Sequence, residues 1–135
     1  MNNVEIRLPR LLPTIYCDRV RIREVLYNLI VNALKYQDKD EKWIEIGWQN
    51  NSRDIKKAVI FYVRDNGIGI TQENYENIFR MFRRLQNSQQ FGEGTGIGLT
   101  IVKKIIERHN GKIWVESEYG KGTTFYFTLG CTQKK

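Results

Sequence analysis

A change of hydrophobic period along the chain limits the folds open to it. From Asp18, a residue suited to a helix N-cap, Val20, Ile22, Val25, Leu26, Leu29, Ile30 and Ala33 recur at helical spacing as far as about Tyr36. After that helix the period becomes two. Ile44, Ile46 and Trp48 fall on one face of Trp43 to Gln49, and Val59, Phe61 and Val63 on one face of Ala58 to Arg64. Polar Asn50 to Lys57 separates the two stretches, which therefore predict neighbouring strands in a hairpin. A second helix is predicted from about Ile97 to Arg108, closed by Asn110-Gly111. Lys112 to Ser117 and Thr123 to Leu129 then alternate like two strands joined by a Tyr119 to Gly122 turn. Val4 to Leu8 reads as a short half-buried leading strand, Pro9 and Pro13 bracket an irregular stretch, and Thr71 to Phe82 is weakly helical. Strands in runs with helices set between them, without regular βαβ alternation, predict an α+β fold: a two-layer α/β sandwich, its mixed and mostly antiparallel sheet packed on about three helices.

The 135 residues suffice for one domain with a real core, so residues 1–135 are read as a single unit with a disordered tail at 131–135. No apolar run approaches the roughly 18 residues of a membrane span, and Met1 to Arg10 lacks a signal-like apolar stretch. A soluble, cytoplasmic chain without membrane contact is expected. Cys17 and Cys131 lack the close spacing of a metal site or redox pair and read as ordinary small residues. The net charge is +7, yet the bases are scattered, and outside the tail only Arg80 with Arg83-Arg84 forms a short cluster. Aromatic residues fall at strand-core spacing and not among the bases, which argues against a nucleic-acid partner and for a smaller polyanion such as a nucleotide.

Three constellations carry chemistry. On the first helix Asn28, Asn32 and Lys35, with Tyr36 beside them, form a polar stripe next to the apolar one. Taken alone it is as readily a solvated face. Asn nevertheless competes for backbone hydrogen bonds and suits a solvated mid-helix position poorly, whereas its oxygen can ligate Mg²⁺. The second is Asp65-Asn-Gly67-Ile-Gly69, at the end of an apolar strand. Its carboxylate could accept a hydrogen bond from adenine's exocyclic amine and would repel guanine's carbonyl, although a plain Asp-Asn-Gly turn explains the same residues. The third is Gly92-Glu-Gly94-Thr95-Gly96-Ile-Gly98-Leu99, running straight into a helix, where free N–H groups and the helix dipole attract phosphate. It has neither a P-loop ending nor the Rossmann spacing. A flexible linker is the alternative, but the apolar helix that follows argues against one.

With these blocks in this order the chain resembles, from about Val4 to Leu129, the nucleotide-binding domain of sensor histidine kinases, the GHKL or Bergerat fold. Asn28-Leu-Ile-Val-Asn32-Ala-Leu-Lys35-Tyr36 is similar to the N box, Asp65 to Gly69 to the first glycine box, Phe79-Arg-Met-Phe82-Arg-Arg84 to the F box, and Gly94 to Leu99 to the second glycine box. Phe82-Arg-Arg-Leu85 and Trp43-Ile-Glu-Ile-Gly47 look like phytochrome-type photoreceptor kinases in particular. The resemblance implies that ATP and Mg²⁺ are bound, with Asn32 on the metal, Asp65 on the adenine amine, and Lys35 and Tyr36 lining the nucleotide. It implies that Gly67, Gly69, Phe82, Gly94, Thr95, Gly96, Gly98 and Leu99 border the ligand, and that residues between the F box and the second glycine box form an ATP lid; the mutual repulsion of its arginines over a glycine-rich backbone predicts that Arg83 to Gly94 is ordered only with nucleotide bound. Asn28, Lys35 and Arg84 then stand at the reacting phosphate, and Thr123 or Thr124 supports the adenine side.

One departure matters: Asn28 occupies the position of the catalytic Glu in the family's ATP hydrolases, and an amide cannot take a proton from water. That favours a protein-histidine kinase over a gyrase-like ATPase. The family's phosphoacceptor is a histidine on a separate dimerisation domain, and the phosphate then passes to a response regulator. The single histidine here, His109, ends the second helix, where a capping or packing role outweighs phosphoacceptance. The expectation is the donor half of a phosphotransfer reaction, cut from a longer chain. A nucleotide-binding or protein-docking module without phosphotransfer is the competing reading.

Overall fold

The computed structural model describes residues 4–50, 59–71 and 95–130. Helix α1, Arg19–Lys35, begins where Asp18 accepts a hydrogen bond from the Arg21 N–H at 3.2 Å, satisfying a donor the first helical turn leaves open. It closes at Tyr36, whose own N–H still donates to the Asn32 carbonyl. Helix α2, Thr95–Arg108, starts two residues before the position its periodicity suggested. The α2 chain then reverses at Asn110, the one non-glycine residue with positive φ among those described. Of the sequence-predicted elements, the weak helix at Thr71 to Phe82 lies outside the described residues beyond Thr71, as does the tail at 131–135.

Five strands form one sheet in the order β1-β2-β3-β5-β4. Strand β1, Val4–Arg7, lies parallel to β2, Lys42–Asn50. The other pairs, β2 with β3 (Val59–Asp65), β3 with β5 (Gly122–Thr128) and β5 with β4 (Ile113–Glu118), are antiparallel. The fold is thus the mixed, mostly antiparallel sheet under helices that the alternating periods predict. Strand β1 differs from expectation in burial: it sits at the sheet's edge, and Ile6, paired with Ile44, remains 51 % exposed.

Register explains where the core ends and polar chemistry starts. Opposite residues in a sheet share a face. Ile46, Val63, Phe125 and Val115 form one row across β2, β3, β5 and β4, and Trp48, Phe61, Phe127 and Ile113 form another. Apart from Trp48, which packs with Arg10 and bonds the Leu11 carbonyl, these rows belong to one cluster with Val25, Leu29 and Ala33 of α1 and Leu99, Val102, Ile105 and Ile106 of α2. Phe61 and Phe127 stack with ring centroids 5.3 Å apart. Each fully buried side chain of this kind contributes about 1.5–3 kcal/mol relative to exposure, so the sandwich is closed chiefly by this cluster. On the same face the next row is Ile44, Asp65, Thr123 and Ser117. Apolar packing stops there, and three of its four side chains are polar.

Candidate functional site

The polar row lies where α1 ends. The Tyr36 carbonyl accepts a hydrogen bond from the Ile68 N–H at 2.8 Å, joining the helix terminus to the turn after β3. A Cβ at Gly67 would fall on that same carbonyl oxygen, so only glycine allows the approach. Gly122, at φ +141°, fits equally closely against the Asp65 carbonyl. We expect Gly67→Ala to lower stability by roughly 1–3 kcal/mol, the usual cost of forcing atoms into a packed site. Denaturant unfolding checks this, and an unchanged midpoint would show that the helix end and the turn are not in register.

Asp65 is buried, 7 % exposed, as the last residue of β3. Its Oδ1 accepts from the Gly67 N–H at 2.8 Å, and the Thr123 N–H also donates to the carboxylate. Burial pushes its pKa up from 3.8 to about 6, against the pull of those two backbone donors and of Lys39. A carboxylate has about four lone-pair sites, so acceptor capacity remains for a further donor such as an exocyclic amine.

The pairing also distinguishes two residues that periodicity left equivalent. Thr123 stands directly opposite Asp65, is buried, and its Oγ1 lies 2.8 Å from Ser117 Oγ. Thr124 pairs with Arg64 on the other face. Ser117, which the sequence reading passed over, accepts from the Ile70 N–H at 2.7 Å and donates to the Gly122 carbonyl at 2.8 Å. Its signal was available: it continues the inward set Ile113, Val115 of β4 as a polar residue.

On α1, Asn32 is buried at 7 % exposure, and its Oδ1 has no hydrogen-bond partner among the described residues. It lies one turn before Tyr36, hence close to the turn that follows Asp65. A buried acceptor left unpaired costs roughly 1–3 kcal/mol, and a hard cation is the partner an amide oxygen suits. Asn28 is half-buried, and its amide donates back to the Glu24 carbonyl at 2.8 Å. Lys35 is exposed and Tyr36 half-buried.

The remaining sequence-predicted site residues divide. Thr95, Gly96 and Gly98 contribute backbone to the opening turn of α2, which carries no acidic residue to compete for an anion. Leu99 is sealed in the core. Phe82, Arg84, Gly94 and the lid stretch lie outside the described residues. His109 Nδ1 lies 2.9 Å from the Ile105 carbonyl, so this nitrogen carries the proton and caps the end of α2.

Comparison with known proteins agrees with this geometry. Residues 17–133 match the family described as histidine kinase-, DNA gyrase B-, and HSP90-like ATPase. The chain is 60 % identical over 126 residues to cyanobacterial phytochrome B of Nostoc sp. strain PCC 7120, covering 93 % of this chain and 16 % of that protein. It is 40 % identical over 127 residues to the methanogenesis regulatory histidine kinase FilI of Methanothrix harundinacea, covering 93 % of this chain and 14 % of that one. The chain thus spans a small part of the length of these relatives. Among solved structures, full-length ShkA in complex with AMPPNP superposes with a TM-score of 0.76 at 28 % identity, over 97 % of this chain and 26 % of that one. A nucleotide-free catalytic domain of histidine kinase ThkA gives 0.71 at 30 % identity, over 98 % and 81 %. With its fold, its buried polar row and these likenesses together, the chain belongs to the family of histidine kinase-, DNA gyrase B- and HSP90-like ATPases, as an ATP-binding domain of the sensor histidine kinase type.

Proposed function

We propose that this chain is the cytoplasmic catalytic domain of a two-component sensor histidine kinase and part of a longer protein. It binds ATP with Mg²⁺ and donates the γ-phosphate to a histidine on a separate dimerisation domain, from which a response regulator takes it. The observation that carries the reading is a pair of buried acceptors at one end of the sandwich. Asp65 has lone pairs to spare, and Asn32 Oδ1 has no partner among the described residues. One suits an adenine amine and the other a hard cation.

In this reading Asp65 accepts from the adenine amine and Thr123 supports that side. Gly67 and Gly69 border the base, and Lys35 and Tyr36 line the nucleotide. Asn32 is the residue that would hold Mg²⁺, which when bound neutralises part of the phosphate charge. Arg84, Phe82 and the glycines from Gly94 to Gly98 enclose the phosphates, and Asn28 stands where a hydrolase would carry its base. Asn28 already donates its amide to the Glu24 carbonyl and has no carboxylate with which to activate water. Positioning and charge neutralisation therefore carry the reaction.

The chain alone should show little ATP hydrolysis and no autophosphorylation, since His109 is committed to the end of α2. Mixed with a separate histidine-bearing dimerisation domain and labelled ATP, it should transfer acid-labile phosphate to that domain. Nucleotide binding without any transfer would favour a binding module, and acid-labile label on His109 would overturn the assignment.

A further inference from the structure

Lys39 lies in the connection between α1 and β2, four residues past the end of the helix. Its ammonium has three donors, and three acceptors meet it: Asp38 Oδ1 at 2.9 Å, the Gly120 carbonyl at 3.0 Å and the Gly67 carbonyl at 3.3 Å. The last two belong to separate turns. Gly67 is in the turn after Asp65, and Gly120 is in the turn between β4 and β5. The Gly120 N–H also donates to the Ile68 carbonyl at 2.6 Å, so the two turns are tied directly and through Lys39. Gly67 in turn presents its N–H to Asp65 Oδ1. One cation thus braces both walls beside the buried carboxylate.

We propose that Lys39 is a positioning residue for the adenine nucleotide: it braces the two turns that flank Asp65, and its ammonium favours the ionised carboxylate that accepts an amine. The inference deepens the reading of the site given above and rests on it. Among the described residues, Asp38 pairs with Lys39 itself, and charged groups of the sheet and of the β4–β5 turn are paired with one another. Arg64 and Glu45 stand on the opposite face of the sheet within 4.0 Å of each other, and Glu118 pairs with Lys121 at the tip of the β4–β5 turn. Facing Asp65 from β2, β5 and β4 are Ile44, Thr123 and Ser117, all neutral. Burial raises the Asp65 pKa to about 6, and among the described residues the Gly67 and Thr123 N–H groups and then the Lys39 ammonium act against it.

The test uses the 135-residue chain and three variants: Lys39→Met removes charge and donors, Lys39→Arg keeps both, and Lys121→Met removes an equal charge from the β4–β5 turn that Lys39 braces. Carboxyl-carbon NMR of Asp65 without nucleotide should show its midpoint rising by roughly half a pH unit in Lys39→Met, the size expected for one partly solvated charge. Lys39→Arg should return it near the wild-type value, and Lys121→Met should leave it unmoved. ADP affinity by calorimetry should fall in Lys39→Met, by about twofold more at pH 6 than at pH 8, because more of the carboxyl is protonated at the lower pH. The phosphate's own titration near pH 6 is common to all four proteins and cancels in the comparison. An unmoved Asp65 midpoint with equal affinity loss at both pH values overturns the proposal, since a purely structural strut gives that result. If the wild-type chain binds no adenine nucleotide, the reading of the site fails instead, and the carboxyl titration still decides whether Lys39 acts on Asp65.

Discussion

Replacing Asp65 by Asn should weaken ATP and ADP binding by about 10²-fold at pH 7.5 and erase the preference for adenine over guanine. A hydrogen bond to a charged acceptor contributes roughly 1.5–3 kcal/mol, and each 1.4 kcal/mol is a factor of ten. The loss should be largest for adenine, whose amine donates to the carboxylate. Guanine presents a carbonyl oxygen instead, which an Asn amide can meet with a donor. Stability should move the other way. The Asp65 carboxyl titrates near 6 in the fold against 3.8 in the open, so the native state disfavours its ionised form. Its contribution to stability is present below pH 3.8 and lost as pH rises through about 6, so at neutral pH the buried charge is a cost. A neutral Asn is free of that cost, and the melting temperature of Asp65→Asn at pH 7.5 should not fall. Nucleotide affinity of the wild-type chain should drop below about pH 6 as the acceptor is protonated, and in Asp65→Asn that component should vanish. Calorimetry with ATP, ADP and GTP at pH 5.5 and 7.5 decides the matter. Unaltered ADP affinity in the variant would remove Asp65 from the adenine site.

Local patterns made most of the fold legible, and distant contacts hid the rest. The helix that starts at Asp18 is readable because its cap and its apolar spacing are properties of one short stretch, and the strands because alternation is local too. The choice between Thr123 and Thr124 is not, since two adjacent threonines on an alternating strand are distinguished only by which faces the core. The register against β3 puts Thr123 on the face of Asp65 and Thr124 on the opposite one. Lys39 carries no motif at all: beside its neighbour Asp38, its partners lie 28 and 81 residues away, and they are carbonyl oxygens that every residue owns. Asn66 was read only as part of a glycine-rich turn. In the structure its Oδ1 accepts from the Trp43 N–H and the Gln37 amide while its Nδ2 donates to the Glu41 carbonyl, stitching the α1–β2 connection to the same turn. The opposite error concerns Ile6: alternation implies a half-buried strand, but a strand on the rim of the sheet has little to be buried by.

The largest metal-linked effect is expected at Asn32. Its Oδ1 is enclosed by the fold yet has no partner among the described residues, an arrangement that costs stability unless a ligand completes it. Asn32→Ala removes the acceptor together with its desolvation cost, so the free variant should be as stable as the wild type or slightly more so. Binding should respond in the opposite sense. With Mg²⁺ present, ATP affinity should fall by about 10²-fold or more, the loss typical when one member of a small ligand set to a metal or its supporting shell is deleted. With the metal chelated, wild type and variant should agree to within about threefold, since the adenine contacts at Asp65 and Thr123 are untouched. Paired calorimetric titrations of ATP, with Mg²⁺ and with a chelator, separate the two effects. If the enhancement by Mg²⁺ persists at full size in Asn32→Ala, the metal is held by other residues and the open lone pairs of Asn32 serve some different partner. A loss of equal size in both conditions would instead mean that Asn32 contacts the nucleotide itself.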